Sequence, residues 1–142
     1  MIRRVLLIGP EGVGKRSFIK YLTGKYATKG IFENYEICTS GELFDYAIIM
    51  IDCSVDIPES IEEYIAIAKR HVAATDIVLC LNKIDLGKRI KTSDLNFGIE
   101  YYYTSTKTGH DCKAVIDHFM ILRERLYAQM TFINYTNIIV EE

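Results

Sequence analysis

Three short stretches carry residue types whose spacing does chemistry: Gly9 to Lys15, Asn82-Lys83-Ile84-Asp85, and Ser105-Thr106-Lys107. In the first, Gly9, Gly12 and Gly14 let backbone N–H groups curl around an anion, and Lys15 adds a positive charge where a helix would begin. That combination binds phosphate. The full pattern continues with a serine or threonine whose hydroxyl ligates magnesium, but this chain has Arg16 there and Ser17 one residue late. The loop of Gly9, Gly12, Val13, Gly14, Lys15, Arg16 and Ser17 is therefore an anion cradle without its usual metal ligand. In the second stretch, the Asp85 carboxylate suits the adjacent ring N–H and exocyclic amine of guanine, a donor pair that adenine does not offer. Lys83 can lay its alkyl stem along such a base, and Asn82 can tie its own loop to the phosphate loop. In the third stretch, a backbone N–H, that of Thr106, is placed to meet the guanine carbonyl oxygen.

These stretches need a scaffold that brings three loops to one edge. Val5–Ile8 precedes the first, Ile77–Leu81 runs directly into Asn82, and Ile99–Tyr103 leads to the third, while Tyr46–Ile51 forms another unbroken apolar run. Continuous apolar runs of this length suit parallel strands covered on both faces. Tyr35–Cys38 adds a brief strand, and Lys25 to Asn34 shows no sustained period. Between the strands, Phe18, Ile19, Tyr21 and Leu22 fall at helical spacing before a stop at Gly24. A second helix is expected from Asp56, where Asp56 and Glu59 have capping-box spacing and Pro58 sits in the first turn, with Ile61, Ile65, Ala68 and Val72 as its buried stripe. His71, in the last turn, reads as a surface charge. A short helix follows at Thr92 or Ser93, and the longest runs from Asp111 to about Met130 with Val115, Phe119, Leu122 and Leu126 inward. Strand and helix alternate throughout, which implies an α/β fold of three layers: a mostly parallel sheet with helices on both faces and a site at the strands' C-terminal edge.

A chain of 142 residues that is 49% hydrophobic fits a single domain spanning residues 1–142. A net charge of −2 with interspersed signs argues against a nucleic-acid or membrane partner. No stretch approaches the ~18 apolar residues of a membrane span, and the N-terminal apolar run is too short for a signal peptide, so a cytoplasmic location is expected. Cys38, Cys53, Cys80 and Cys112 lack C-x-x-C spacing and read as reduced, buried thiols. Residues 131–142 hold Phe132, Ile133, Tyr135, Ile138, Ile139 and Val140. A tail this apolar is expected to dock on the domain as a strand, or to bind a protein partner or a second copy of the chain.

In their order and strand-end placement, the three motifs resemble those of the small GTP-binding proteins. That family carries a fourth motif, Asp-x-x-Gly, at the place of Cys38-Thr39-Ser40-Gly41-Glu42. This stretch is similar to the Asp-Thr-Pro-Gly-Glu of the EutP/PduV branch, which is associated with ethanolamine and propanediol utilisation, as are Asp56-Ile57-Pro58-Glu59-Ser60 and the chain length. The resemblance implies a P-loop NTPase fold, GTP or GDP as ligand, and association with a bacterial microcompartment. In the family, the P-loop hydroxyl and the Asp of Asp-x-x-Gly together organise magnesium. Arg16 and Cys38 stand in their places here, so hydrolysis is expected to be weak or absent. The candidates left for catalysis are Arg16 and Glu42, and for a metal Ser17, Thr39 and Asp52. Glu11 is a further carboxylate, and Thr28 joins Thr39 as a candidate γ-phosphate contact. Arg16 either places its guanidinium near the β-phosphate or points to solvent. A guanine-nucleotide-binding regulatory or scaffold module is the expected function. The alternatives are an ATP-dependent phosphotransferase of the acetate-kinase type or slow NTPase, and an interaction domain that has lost its nucleotide.

Overall fold

Successive side chains of a strand point to opposite faces, so the unbroken apolar runs of this chain fold only where both faces are covered. The computed structural model describes residues 1–141, with side chains through Thr131. It consists of β1 (Arg3–Ile8), α1 (Lys15–Thr23), β2 (Lys29–Phe32), β3 (Tyr35–Cys38), β4 (Tyr46–Asp52), α2 (Ile61–His71), β5 (Ile77–Asn82), β6 (Glu100–Tyr103) and α3 (Cys112–Glu141). The strands form one sheet in the order β2-β3-β1-β4-β5-β6. β2 is antiparallel to β3, and every other pairing is parallel.

Each face has its own core. Val5, Leu7, Ile48, Met50, Val78 and Cys80 pack against Phe18 and Ile19 of α1 and Val115, Ile116 and Phe119 of α3. The residues between them, Leu6, Ala47, Ile49, Ile51, Leu79 and Leu81, pack on the other face against Ile61, Ile65 and Ala68 of α2. Ile90 and Ile99, from the irregular connection between β5 and β6, complete that second core. The Phe119 ring stacks on Tyr46 at 4.5 Å between centroids. All four cysteines are buried and free. Burial pushes the Cys80 thiol up to about 12, and those of Cys53 and Cys112 up to about 11. These thiols stay protonated at neutral pH. No helix among the described residues is long and apolar enough to cross a membrane.

The connection from β3 to β4 passes over β1 in the seven residues Thr39–Asp45. Parallel crossovers usually take a dozen or more residues. This one is short because β3 stops beside Leu6 and β4 starts beside Val5, so the strap crosses the sheet without running along it. Arg4 pins it. The guanidinium bonds the carbonyl of Glu42, lies 4.8 Å from the centroid of the Phe44 ring and pairs with Glu36 at 3.2 Å. The Arg4 backbone exchanges hydrogen bonds with Asp45 on both sides, N–H to Oδ2 and C=O from N–H, each at 2.8 Å.

The structure departs from the sequence reading in three elements. The segment before Asn34 contains β2, an edge strand whose alternating exposed and half-buried residues lie in a hairpin with β3. The second helix begins at Ile61 and not at Asp56. The Asp56 carboxylate pairs with Arg89 at 2.6 Å, across the chain, so it does not cap a helix, and α2 starts from Ser60 with Glu62 and Glu63 in its first turn. The long helix continues through Glu141, where the sequence suggested a strand-forming tail, and Leu126 is exposed, not inward. From Arg123 to Thr131 every residue of α3 is exposed, because the helix has passed the edge of the sheet it packs on.

His118 is the buried titratable group of the α3 core. Its Nδ1 meets the Tyr102 hydroxyl at 2.8 Å, and Nε2 is buried with no partner among the described residues. Burial holds its pKa below 6.5, with Arg125 lowering it further and Glu100 opposing. The unfolded chain therefore binds the proton more readily, so stability is full above 6.5 and is lost as pH falls from 6.5 towards the folded-state value. We expect the melting temperature to fall over that interval, and His118→Gln to flatten the fall. A wild-type melting temperature that is constant across it would contradict a neutral buried imidazole.

Candidate functional site

The C-terminal ends of β1, β5 and β6 bring the three sequence stretches to one edge of the sheet. After β1, Gly9 passes so close to β4 that a Cβ would collide with the Met50 carbonyl. Gly14 caps α1 at φ +104°, and a Cβ there would lie 2.5 Å from Asn82 Nδ2. The first intrahelical bond comes from Phe18 N–H to the Gly14 carbonyl, at 2.9 Å. Gly14, Lys15, Arg16 and Ser17 therefore present N–H groups with no acceptor among the described residues. The Lys15 ammonium crosses the loop to the Gly9 carbonyl and to that of Pro10 at 3.3 Å. Unpaired amides, a helix N-terminus and a lysine converge on one concavity, which is the chemistry of a phosphate cradle.

Asn82 joins this loop to the other two. Its side chain is fully buried. Nδ2 donates to the Val13 carbonyl at 2.8 Å, and Oδ1 accepts from Thr104 Oγ1 and from Thr106 N–H, both at 3.1 Å. Asp85 accepts from Ser105 Oγ at 2.7 Å through Oδ1, so the second and third stretches meet directly. Ser105 is itself fully buried and its hydroxyl receives Thr108 N–H at 3.1 Å, which fixes the direction of the bond to Asp85. The Asp85 carboxylate is exposed and keeps unused acceptor sites for a ligand.

Several residues sit differently from the sequence reading. Thr106 N–H is taken by Asn82, so it is not a free donor for a base carbonyl, whereas the Lys107 amide has no partner among the described residues. The Lys83 ammonium lies 3.5 Å from Asp52 at the end of β4. Asp52 also accepts from Ser54 N–H at 2.9 Å and Ser54 Oγ at 2.5 Å, so this carboxylate already has partners within the protein. Glu42 lies in the strap held by Arg4 and does not line the clefts at the loop.

Two clefts flank the phosphate loop. One, of about 340 Å³, is lined by Glu11, Lys15, Arg16, Thr28, Thr39 and Tyr64 among others. The other, of about 380 Å³, is formed by Ser17, Lys20, Tyr21, Tyr26, Thr106 and Lys107. Ser17 therefore opens away from Arg16 and Thr39, and the three metal candidates Ser17, Thr39 and Asp52 do not meet. Thr39 directs both its N–H (2.9 Å) and its hydroxyl (3.1 Å) to the Thr28 carbonyl. Lys20, Tyr21, Tyr26 and Tyr64 also line these clefts, and the sequence reading did not place them at the candidate site. Tyr21 reads as part of a helical stripe, and Tyr26 follows Gly24 in a segment without a period, so neither carried a signal beyond its aromatic type.

No family model and no curated protein sequence matches the chain. Among solved structures it is similar to one named a probable GTP-binding protein engB, with a TM-score of 0.63 and 17% identity over 85% of this chain and 99% of that one. It is similar to nucleolar GTP-binding protein 1 of Plasmodium falciparum, with a TM-score of 0.68 and 16% identity over 97% of this chain and 94% of that one. Bacterial selenocysteine-specific elongation factor EF-Sec matches with a TM-score of 0.64 and 16% identity over 88% of this chain, which corresponds to 29% of that longer protein. At these identities the likeness establishes architecture: the chain has the α/β fold of P-loop GTP-binding proteins, a mostly parallel six-stranded sheet covered by helices on both faces.

Proposed function

We propose that the chain is a guanine-nucleotide-binding module with weak or absent GTP hydrolysis, serving a regulatory or scaffold role. Asp85 reads the base, Lys83 flanks it, and the Gly9–Ser17 loop holds the phosphates. The observation that carries this reading is the Asn82 side chain, which locks the phosphate loop at Val13 to the loop that pairs with Asp85. A phosphate site and a base-reading carboxylate held in one register are what a nucleotide requires. Poor hydrolysis follows from the strap. Its first residues stand where the resemblance places a catalytic, metal-organising loop, yet it is short, it is clamped by Arg4, and the thiol of Cys38, which immediately precedes it at the end of β3, is buried against Glu36.

The finer likeness to the EutP/PduV branch rests on Cys38–Glu42 and Asp56–Ser60, and with it comes the association with a bacterial microcompartment. On this reading the exposed apolar residues of α3, Met120, Ile121, Leu126, Tyr127 and Met130, offer the surface for a protein partner or a second copy.

Guanine selectivity is tested by titrating GDP, GTP and ATP. We expect GDP and GTP to bind at least tenfold, or about 1.4 kcal/mol, more tightly than ATP. Asp85→Asn should weaken GDP and favour xanthosine diphosphate, whose ring carbonyl accepts where guanine donates. Equal affinity for ATP and GTP would sink guanine selectivity and bring the ATP-phosphotransferase reading forward.

Asn82→Ala tests the coupling. It leaves the Thr106 N–H and the Val13 carbonyl without their partner, at a cost of about 1–3 kcal/mol for each group that stays buried. We expect a lower melting temperature and at least a tenfold loss of GDP affinity, and a variant that binds GDP like the wild type would contradict the locking role.

A further inference from the structure

The phosphate loop carries a cation where a neutral hydroxyl would ligate magnesium, and the donor groups around it do not suit that ion. Magnesium takes a near-octahedral set of oxygens. Cys38 is 3% exposed, its thiol bonded to Glu36 Oε1 at 3.3 Å and approached by Arg4 Nη2 at 3.6 Å. Asp52 is held by Lys83 and Ser54, and the Thr39 hydroxyl by the Thr28 carbonyl. That leaves Glu11 as the one carboxylate lining the cleft beside the loop. Among the described residues no group of three or more His, Cys, Asp and Glu side chains could hold a metal.

Arg16 lines the same cleft as Lys15 and Glu11, and its guanidinium makes no ion pair among the described residues. It is the second residue of α1, beside the unpaired amides of Gly14, Lys15 and Ser17. A guanidinium is planar, permanently charged and able to hold two phosphate oxygens at once, which a lysine ammonium cannot match.

We propose that the Arg16 guanidinium takes the place of a divalent cation at the nucleotide phosphates, so that binding needs no metal and favours the nucleoside diphosphate over the triphosphate. The proposal rests on the guanine-nucleotide reading above. The diphosphate preference comes from charge. Lys15 and Arg16 with the end of α1, worth about half a charge, supply about 2.5 positive charges. A divalent ion would bring one charge more than a guanidinium, and a triphosphate carries one negative charge more than a diphosphate. Without the ion, the additional phosphate enters a site with nothing left to balance it.

The test is calorimetric titration of the full chain with GDP and with GTP, each in magnesium and in EDTA, for the wild type, Arg16→Ser and Arg16→Lys. Thermal melts verify that the variants fold. The wild type should bind GDP within about tenfold of the same affinity in both media. In EDTA it should prefer GDP to GTP. Arg16→Ser should lose at least tenfold in GDP affinity in EDTA, and Arg16→Lys should regain part of that loss. A wild-type loss of about a hundredfold or more in EDTA overturns the metal-independent site while leaving guanine-nucleotide binding intact. Arg16→Ser binding GDP in EDTA as well as the wild type overturns it too. Failure to bind GDP in either medium overturns both this proposal and the reading on which it rests.

Discussion

A single buried amide holds this site together. Asn82 ends the interior strand β5, where its side chain has no access to water, so its donor and its acceptor must be met by protein. They are met by Val13 on one side and by Thr104 and Thr106 on the other. Each of those partners belongs to a different loop from Asn82 itself, so one side chain sets the separation of the Gly9–Ser17 loop from the Asp85–Ser105 pair. Gly14 follows from the same constraint. The amide occupies the space a Cβ would need, and the left-handed turn that starts α1 is available to glycine at little cost.

Arg4 plays a comparable part on the other face. The β3–β4 strap is too short to contain a helix, and its carbonyls at Glu42 and Leu43 turn towards the guanidinium. The Phe44 ring covers that cation while filling the α2-side core, so the strap is fastened by polar and apolar contacts at once. A large rearrangement of this strap would first have to break the Arg4 cluster.

The parts of the fold that could be read from sequence are those where burial alone decides. β4 and β5 are continuous apolar runs because both their faces are covered, and the polar residues that follow mark the edge where the sheet stops. The stripe Ile61, Ile65 and Ala68 of α2 was legible for the same reason. What could not be read depends on partners distant in sequence. β2 is an edge strand, half in water, and is recognisable only through its pairing with β3. Asp56 has a capping signature, but Arg89, thirty-three positions along the chain, claims its carboxylate. Leu126 keeps the helical period of α3, yet the sheet beneath it has ended. At the candidate site, residue types and their order pointed to three loops that the sheet brings to one edge. Which amide is free was decided by Asn82 choosing Thr106, and which carboxylate is committed was decided by Lys83 and Ser54 around Asp52. Neither choice leaves a trace in spacing.

The third loop is tied to the start of α3. Ser105 N–H bonds the His110 carbonyl at 3.1 Å, its carbonyl accepts Gly109 N–H at 2.7 Å, and the buried Cys112 thiol reaches the same carbonyl at 3.4 Å. The Tyr21 ring lies against Gly109, so closely that a Cβ there would strike it, which fastens the turn to α1 as well. The loop that positions Asp85 is thus the N-terminal anchorage of the longest helix, and Val115, Ile116 and Phe119 carry that anchorage into the core within two further turns. Beyond Leu122 the helix leaves the sheet and exposes apolar side chains. Because the helix is continuous, the exposed stretch Arg123–Thr131 and the Ser105–Lys107 loop are joined through one element, and the buried stretch between them fixes where both must lie.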